Sequence, residues 1–120
     1  MLINISNHPH AGWQPAQRRA AKAYGNIIDL PFPNIPPEAT TDEVETLAKG
    51  FINEIRRLIR GYQSPPTVHF MGEMTFTYTL LTMLRNADIP CVASTTERIV
   101  TIEGDTKKTI FKFIQFRPYF

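Results

Sequence analysis

The stretch TVHFMGEMTFTYTLLTMLRNADIPCVA, residues 67–93, decides the fold class of this 120-residue chain. Its first five residues form a short apolar run that predicts a buried strand, which Gly72 ends. Residues 73–86 predict a helix, because three apolar side chains recur on one helical stripe: Phe76, Leu80 and Leu84. Residues 89–93 predict another buried strand. A strand, a helix and a strand in this order typically form a right-handed crossover between parallel strands.

The same alternation extends toward the N-terminus. Residues 1–6 (MLINIS) and 26–30 (NIIDL) predict two more buried strands, with a helix between them that Pro15 opens and Gly25 ends. A further helix is predicted from an N-cap at Thr41 to about Arg60. Its apolar positions recur at helical spacing: Val44, Leu47, Ala48, Phe51, Ile55, Leu58 and Ile59.

The C-terminal part has a different pattern. Residues 98–103 and 108–117 alternate apolar and polar side chains on either side of Gly104-Asp105, which is typical of a β-hairpin. We therefore predict a single α/β domain over residues 1–120, with a mostly parallel sheet, helices on both faces and a C-terminal β-hairpin.

Composition excludes several classes of protein. Hydrophobic residues make up 42% and charged residues 20% of the chain, values close to the globular average, which argues against disorder. The net charge of +2 is too small to predict binding of long DNA or RNA by bulk charge. Cys91 is the single cysteine, so no disulfide within the chain is predicted. With no signal peptide or membrane span in the sequence, we expect a cytoplasmic protein.

Ligands of open parallel α/β sheets bind outside the carboxyl ends of the strands, near the point where strand order reverses. In this sequence, that rule selects the loops after all four predicted strands: NHPHAGW (7–13), PFPNIPP (31–37), GEMTFT (72–77) and STTER (94–98). They contain our candidate site residues: Asn7, His8, His10, Trp13, Gly72, Glu73, Thr75, Ser94, Thr95, Thr96 and Arg98.

The segment Ser94-Thr95-Thr96 is the strongest candidate. Three hydroxyls can donate to anionic oxygens, and Arg98 can add a forked cationic donor. The alternative is that the threonines favour a strand end and that Arg98 pairs with Glu97 or Glu103 on the surface.

The other candidates have alternatives as well. His8 and His10 can act as general acid or base, although the sequence favours a role in anchoring the loop for at least one of the two. Free amides at Gly72 to Thr75 can bind a phosphate oxygen, or Gly72 can serve a turn. Glu73 can act in catalysis, bind ribose or simply stabilise the helix dipole at the N-terminus. Trp13 can stack on a base or pack in the core. Two loop histidines are too few to predict a metal site.

Five motifs, in order, carry a resemblance: NHP (7–9), DLPFPNIPP (29–37), MGEMTFTY (71–78), ASTTERIV (93–100) and FKFIQFRPY (111–119). Together they resemble small CRISPR-associated proteins related to ring nucleases, which are CARF-like Rossmann domains. The resemblance implies a homodimer without cofactor that binds cyclic oligoadenylate, most simply tetra-adenylate. It also implies metal-independent linearisation of that ring by attack of a ribose 2′-hydroxyl.

By position, the resemblance implies that Thr95, Thr96 and Arg98 hold phosphate. Glu73 would contact ribose or act as base, and His8 or His10 would exchange protons. The NHPH loop departs from the pattern of these relatives. For the dimer interface we expect an apolar C-terminal surface formed by Phe111, Phe113, Ile114, Phe116, Tyr119 and Phe120.

The residues leave three functions open. The first is an enzyme that cleaves cyclic oligoadenylate, and the second is a binding module that sequesters or senses it. The third is a small α/β interaction domain in which the polar residues at the strand ends only form the loops and bind no nucleotide.

Overall fold

A computed structural model describes all 120 residues as a mixed α/β fold with one five-stranded sheet. The strands are β1 (Leu2–Ile5), β2 (Ile27–Asp29), β3 (Thr67–Phe70), β4 (Cys91–Glu103) and β5 (Thr106–Pro118). Their spatial order is β2-β1-β3-β4-β5, with the first four strands parallel and β5 antiparallel to β4. The predicted mostly parallel sheet with a C-terminal hairpin is therefore confirmed.

Three helices connect the parallel strands: α1 (Pro15–Ala21), α2 (Thr41–Arg60) and α3 (Met74–Asn86). Two short 3₁₀ turns, His10–Gly12 and Lys22–Tyr24, flank α1. The predicted first helix is therefore shorter than expected, because its last residues tighten into the second 3₁₀ turn before Gly25 adopts a φ of 88°. None of the three helices combines the length and apolar content needed to cross a bilayer.

The start of α2 differs from the prediction by one residue. The hydroxyl of Thr40, not that of Thr41, accepts a hydrogen bond from the Glu43 amide at 3.2 Å. Thr41 is already the first helical residue. Two adjacent threonines gave the sequence two equally good capping side chains, and only the backbone decides between them.

The two faces of the sheet are covered unequally. Helices α2 and α3 pack on one face around a core of 14 buried residues, with Ile3 and Ile5 of β1 at its centre. Leu2 points to the other face, where it joins Trp13, Ala21 and Val92 in a cluster of only four buried residues. Alternate side chains of β1 thus divide between a large core and a small one.

The hairpin begins earlier than the sequence indicates. The segment 94–98, which we expected in a loop, lies within β4 and pairs with residues 111–116 of β5. A shift in strand register occurs between Thr95 and Thr96, next to Ile114 of β5, and bends the hairpin.

The side-chain amide of Gln14 contacts the outer edge of β5. Gln14 Nε2 donates to the Phe111 carbonyl at 2.7 Å, and Gln14 Oε1 accepts from the Phe113 amide at 3.0 Å.

The expected apolar C-terminal surface divides into inner and outer residues. Phe113 is buried and Phe116 packs against the small cluster, so these two side chains face inward. The Tyr119 hydroxyl donates to the Phe70 carbonyl at 2.6 Å, which ties the C-terminal segment to β3. Phe111, Ile114 and Phe120 remain at least half exposed.

Candidate functional site

A cleft opens where the order of the parallel strands reverses. From β1 the chain passes to β2 on one side and then returns to β3 on the other, so the carboxyl ends of β1 and β3 mark the switch point. The cleft has a volume of about 610 Å³. We call it the switch-point cleft. It is lined by Ser6, Asn7, His8, Gly12, Trp13, Gln14, Gln17, His69, Met71, Gly72, Ser94, Thr96, Phe111 and Phe113.

The loop after β1 is held in place through one carbonyl. The His8 carbonyl accepts hydrogen bonds from Asn4 Nδ2 at 2.9 Å and from the Trp13 indole at 3.0 Å, and Ser6 Oγ lies 3.1 Å away. Trp13 is buried by this packing, so its ring is part of the small core. The His8 side chain itself is exposed and lines the cleft. Hydrogen bonds thus hold the backbone at His8 in place, while the residue remains exposed at the cleft.

Behind the loop, a row of polar side chains crosses three strands. Asp29 of β2, Asn4 of β1 and His69 of β3 occupy one register row of the sheet. Asn4 Nδ2 donates to Asp29 Oδ1 at 2.8 Å, and Asn4 Oδ1 lies 2.8 Å from His69 Nδ1. Asn4 and His69 are each only 2% exposed. We call Asp29, Asn4 and His69 the polar row.

His10 belongs to the outer end of the polar row. Its Nδ1 lies 2.8 Å from Asp29 Oδ2, and its amide donates to Asp29 Oδ1 at 3.1 Å. Burial tends to raise the pKa of Asp29, but hydrogen bonds from Asn4 and His10 outweigh it and lower that pKa below its usual value. His10 does not line the switch-point cleft. The structure thus separates the two candidate histidines of the loop.

The hydroxyls of β4 also divide between two environments. Ser94 and Thr96 line the cleft, and Ser94 Oγ lies 3.0 Å from Met71 Sδ. Thr95 Oγ1 instead lies 3.2 Å from both the amide and the carbonyl of Gln115, where it stabilises the irregular step in the hairpin. Arg98 stands opposite Phe111, two residues beyond Thr96 on the same face of β4, at the rim and outside the lining.

Residues 72–75 form the start of α3. The Glu73 carboxylate accepts hydrogen bonds from the amides of Thr75 and Phe76 and from the Thr75 hydroxyl, as an N-cap does. These bonds, with that from Phe76 first, lower the pKa of Glu73. Glu73 lines a separate, smaller depression with Asn7 and Asn34. The helix start is thus already capped by its own carboxylate.

Gly72 has a steric explanation. A Cβ added at this position would lie 2.0 Å from the Phe32 ring, so only glycine allows this ring to pack there. Its φ is not positive, so a turn does not require glycine here. The close approach comes from an aromatic side chain of the protein itself.

Comparison with known proteins identifies a family. Residues 1–117 match the model described as the uncharacterized protein MJ1673 family. The chain belongs to this family. No curated protein and no solved structure matches it significantly.

Of the candidate residues, the structure brings Asn7, His8, Trp13, Gly72, Ser94 and Thr96 to one cleft, and places His10, Glu73, Thr75, Thr95 and Arg98 outside its lining. Sequence reasoning missed Asn4 and His69. The signal was present: each is a polar residue inside an otherwise apolar strand, in MLINIS and TVHFM. A polar residue in a buried strand needs a partner, and two such strands side by side supply one.

A second groove, of about 670 Å³, lies over α2 and is lined by Leu30, Leu47 and Phe51 with Glu43 and Glu54. It contains none of the candidate residues and no fully buried polar group. No group of three or more His, Cys, Asp or Glu side chains is placed to bind a metal ion. We therefore assign the candidate site to the switch-point cleft.

Proposed function

We propose that this protein is a cytoplasmic, CARF-like Rossmann domain that binds cyclic oligoadenylate in the switch-point cleft and linearises it. The observation that supports this function best is a convergence. The loop after β1 and the hydroxyls of β4 are almost ninety residues apart in sequence, yet they line one cleft at the strand-order reversal. Its volume of about 610 Å³ is within the usual range of small-molecule sites, roughly 300–1,000 Å³.

The cleft offers neutral donors to a phosphate. The hydroxyls of Ser94 and Thr96 and the side-chain amide of Asn7 line it together, and each can donate a hydrogen bond to a phosphate oxygen. Arg98 at the rim adds a positive charge that attracts the anionic ring. Binding through several such donors aligns the phosphodiester without requiring a strongly basic surface.

Linearisation needs alignment and proton transfer. The ribose O2′ forms a bond to phosphorus while the bond from phosphorus to O5′ breaks; the proton of the 2′-hydroxyl leaves, and O5′ gains a proton. Of the three predicted catalytic residues, only His8 lines the cleft, and it is exposed, so we assign the proton exchange to His8. His10 is engaged by Asp29, and Glu73 by the helix start, so neither takes this role in our proposal.

We also propose that the active unit is a homodimer. A ring of four nucleotides with twofold symmetry presents the same groups to two copies of the cleft. Phe111 lines the cleft while remaining more than half exposed, so an apolar side chain at the cleft is open to a partner. A partner copy that covers Phe111 would border both clefts.

The test is product analysis with radiolabelled cyclic tetra-adenylate. We expect wild-type protein to bind the ring and to release linear product. His8→Ala should slow turnover by about a hundredfold or more while affinity changes only a few-fold. Thr96→Val should weaken binding about tenfold, since one ligand hydrogen bond is lost. Thr101→Val, at an exposed position nearer the hairpin tip, is the matched control and should change neither.

Two outcomes would overturn parts of the proposal. Tight binding with the ring left circular would replace the enzyme by a module that sequesters or senses the nucleotide. Absence of binding would remove both nucleotide functions.

A further inference from the structure

His69 leaves one buried nitrogen without a partner. The residue is 2% exposed and its Nε2 has no hydrogen-bond partner, although the rest of the polar row is fully paired. The ring stands edge-on to Trp13 at 5.3 Å and to Phe116 at 5.4 Å. Phe116 has no polar side-chain atom, and the indole N–H of Trp13 already donates to the His8 carbonyl. Buried polar atoms of this kind are rare, and leaving one unpaired costs about 1–3 kcal/mol.

The hydrogen bonds of Asn4 determine which nitrogen of His69 carries the hydrogen. Asn4 Nδ2 lies between two acceptors, Asp29 Oδ1 and the His8 carbonyl, so the orientation of the amide is fixed. Asn4 Oδ1 therefore faces His69 Nδ1, and an amide oxygen can only accept. Nδ1 must carry the hydrogen, which leaves Nε2 of the neutral ring as a bare acceptor.

His69 is also a lining residue of the candidate site. His69 lines the switch-point cleft together with His8, Ser94 and Thr96. Whereas His8 is exposed, His69 is almost fully buried and forms the deep end of the cleft. Nε2 lies at the end of the imidazole ring away from the strand.

We propose that Nε2 of His69 is the ligand acceptor at the deep end of the cleft, and that it binds a hydroxyl or amino hydrogen of the ligand, not a phosphate oxygen. The proposal rests on the proposed function only in taking a nucleoside as the ligand. It assigns the two ends of the cleft to different parts of that ligand. Ser94, Thr96 and Asn7 meet the phosphate, while His69 meets a ribose hydroxyl or the adenine amino group.

The charge state of the ring agrees with this assignment. Burial lowers the pKa of His69 to about 4, so the ring is neutral at pH 7. A neutral ring with a free lone pair repels an anionic oxygen and accepts from a neutral donor. Asn4 and Asp29 act as positioning residues, because they hold the tautomer and the ring orientation.

The experiment follows the ¹⁵N signals of the histidine rings in labelled wild-type protein at pH 7. Signals are assigned with His8→Ala and His10→Ala, so no variant of the buried residue is needed. The free protein should show His69 as the neutral Nδ1–H tautomer. Addition of adenosine, which carries hydroxyl and amino donors but no phosphate, should shift Nε2 toward its hydrogen-bonded value. Inorganic phosphate alone should leave it unchanged.

A pair of variants adds a binding measurement. His69→Asn retains a donor toward Asn4 and removes the acceptor in the cleft, so affinity for adenosine should fall about tenfold. His69→Gln places an amide at the position of Nε2 and should recover part of that loss. Thermal unfolding of both variants reports whether the fold is retained.

The possible results separate the two proposals. An Nε2–H tautomer in the free protein overturns this inference whatever binds. Cyclic tetra-adenylate that binds without moving the Nε2 signal also overturns it, while the proposed function stands. If adenosine moves the Nε2 signal but cyclic tetra-adenylate does not bind, the inference stands and the proposed function fails. If neither adenosine nor the cyclic ring moves the signal or binds, both fail.

Discussion

The two faces of the sheet differ in what they bury. The face under α2 and α3 buries 14 apolar residues in one cluster. The face under α1 buries four, beside Asn4 and His69 of the polar row. A large apolar core stabilises the fold, which allows the other face to bury polar groups that cost stability. The large apolar core and the buried polar groups thus lie on opposite sides of the same strands.

We expect the greatest loss of stability from a substitution in the large core under α2 and α3, which we call the apolar face. Phe76 of α3 is fully buried and contacts Phe32, Phe51 and Phe70. Phe76→Ala should lower the free energy of unfolding by about 3–5 kcal/mol through lost burial and a cavity. Urea denaturation measures this change. Tyr78→Ala, two residues along the same helix and largely exposed, should change stability by only about 0.5 kcal/mol.

On the face under α1, which carries the polar row, the buried His69 should make the free energy of unfolding depend on pH. His69 has a pKa of about 4 in the folded protein and about 6.5 when unfolded, so only the unfolded state takes up a proton between these values. Stability should therefore fall by roughly 3 kcal/mol as the pH drops from about 6.5 to 4. Above this window the folded and unfolded states carry the same charge at this residue.

Unfolding curves at several pH values, for wild type and His69→Gln, measure this contribution. The variant has no titrating group at the position, so it should lack this part of the slope. An equal slope in both proteins between pH 4 and 6.5 would contradict the assignment of the neutral ring. Asp29 and Glu73 have lowered pKa values, so their contributions are lost at lower pH, as the pH falls through those values.

The N-terminus of α2 lies at the edge of the face that carries the large core, and changes there should have a small effect on stability. Thr40→Ala removes the side chain that caps α2 and should cost about 1 kcal/mol. Thr41→Ala changes the adjacent, already helical residue and should be close to neutral. Chemical denaturation of the pair resolves the difference. A greater loss in Thr41→Ala would place the start of the helix one residue later.

Much of the apolar face could be predicted from sequence. The helical spacing of Val44, Ala48 and Ile55 predicted α2, and all three side chains are buried in the large core. This works because burial on one side of a helix imposes a period on the sequence. The parallel strands were predicted as short apolar runs between helices, because a strand that is buried on both faces carries apolar side chains along its whole length.

The polar face could be predicted only in part. The sequence located the loop after β1 and the hydroxyls of Ser94 and Thr96, but not the continuous course of β4 from Cys91 to Glu103, because the polar residues 94–98 have the composition of a loop. His69 was assigned to a strand and its role was missed. Its partners Asn4 and Asp29 are distant in the chain, and only the pairing of strands aligns them in one row.

The contact between Gln14 and β5 has a consequence for assembly. By donating to the Phe111 carbonyl and accepting from the Phe113 amide, this side chain imitates one residue of a neighbouring strand. A slip of β5 by one position would forfeit both bonds and turn Phe113 out to water. The same two bonds occupy the outer edge of the sheet beside the switch-point cleft, so a foreign strand cannot extend the sheet there and aggregation by edge pairing is blocked at that point.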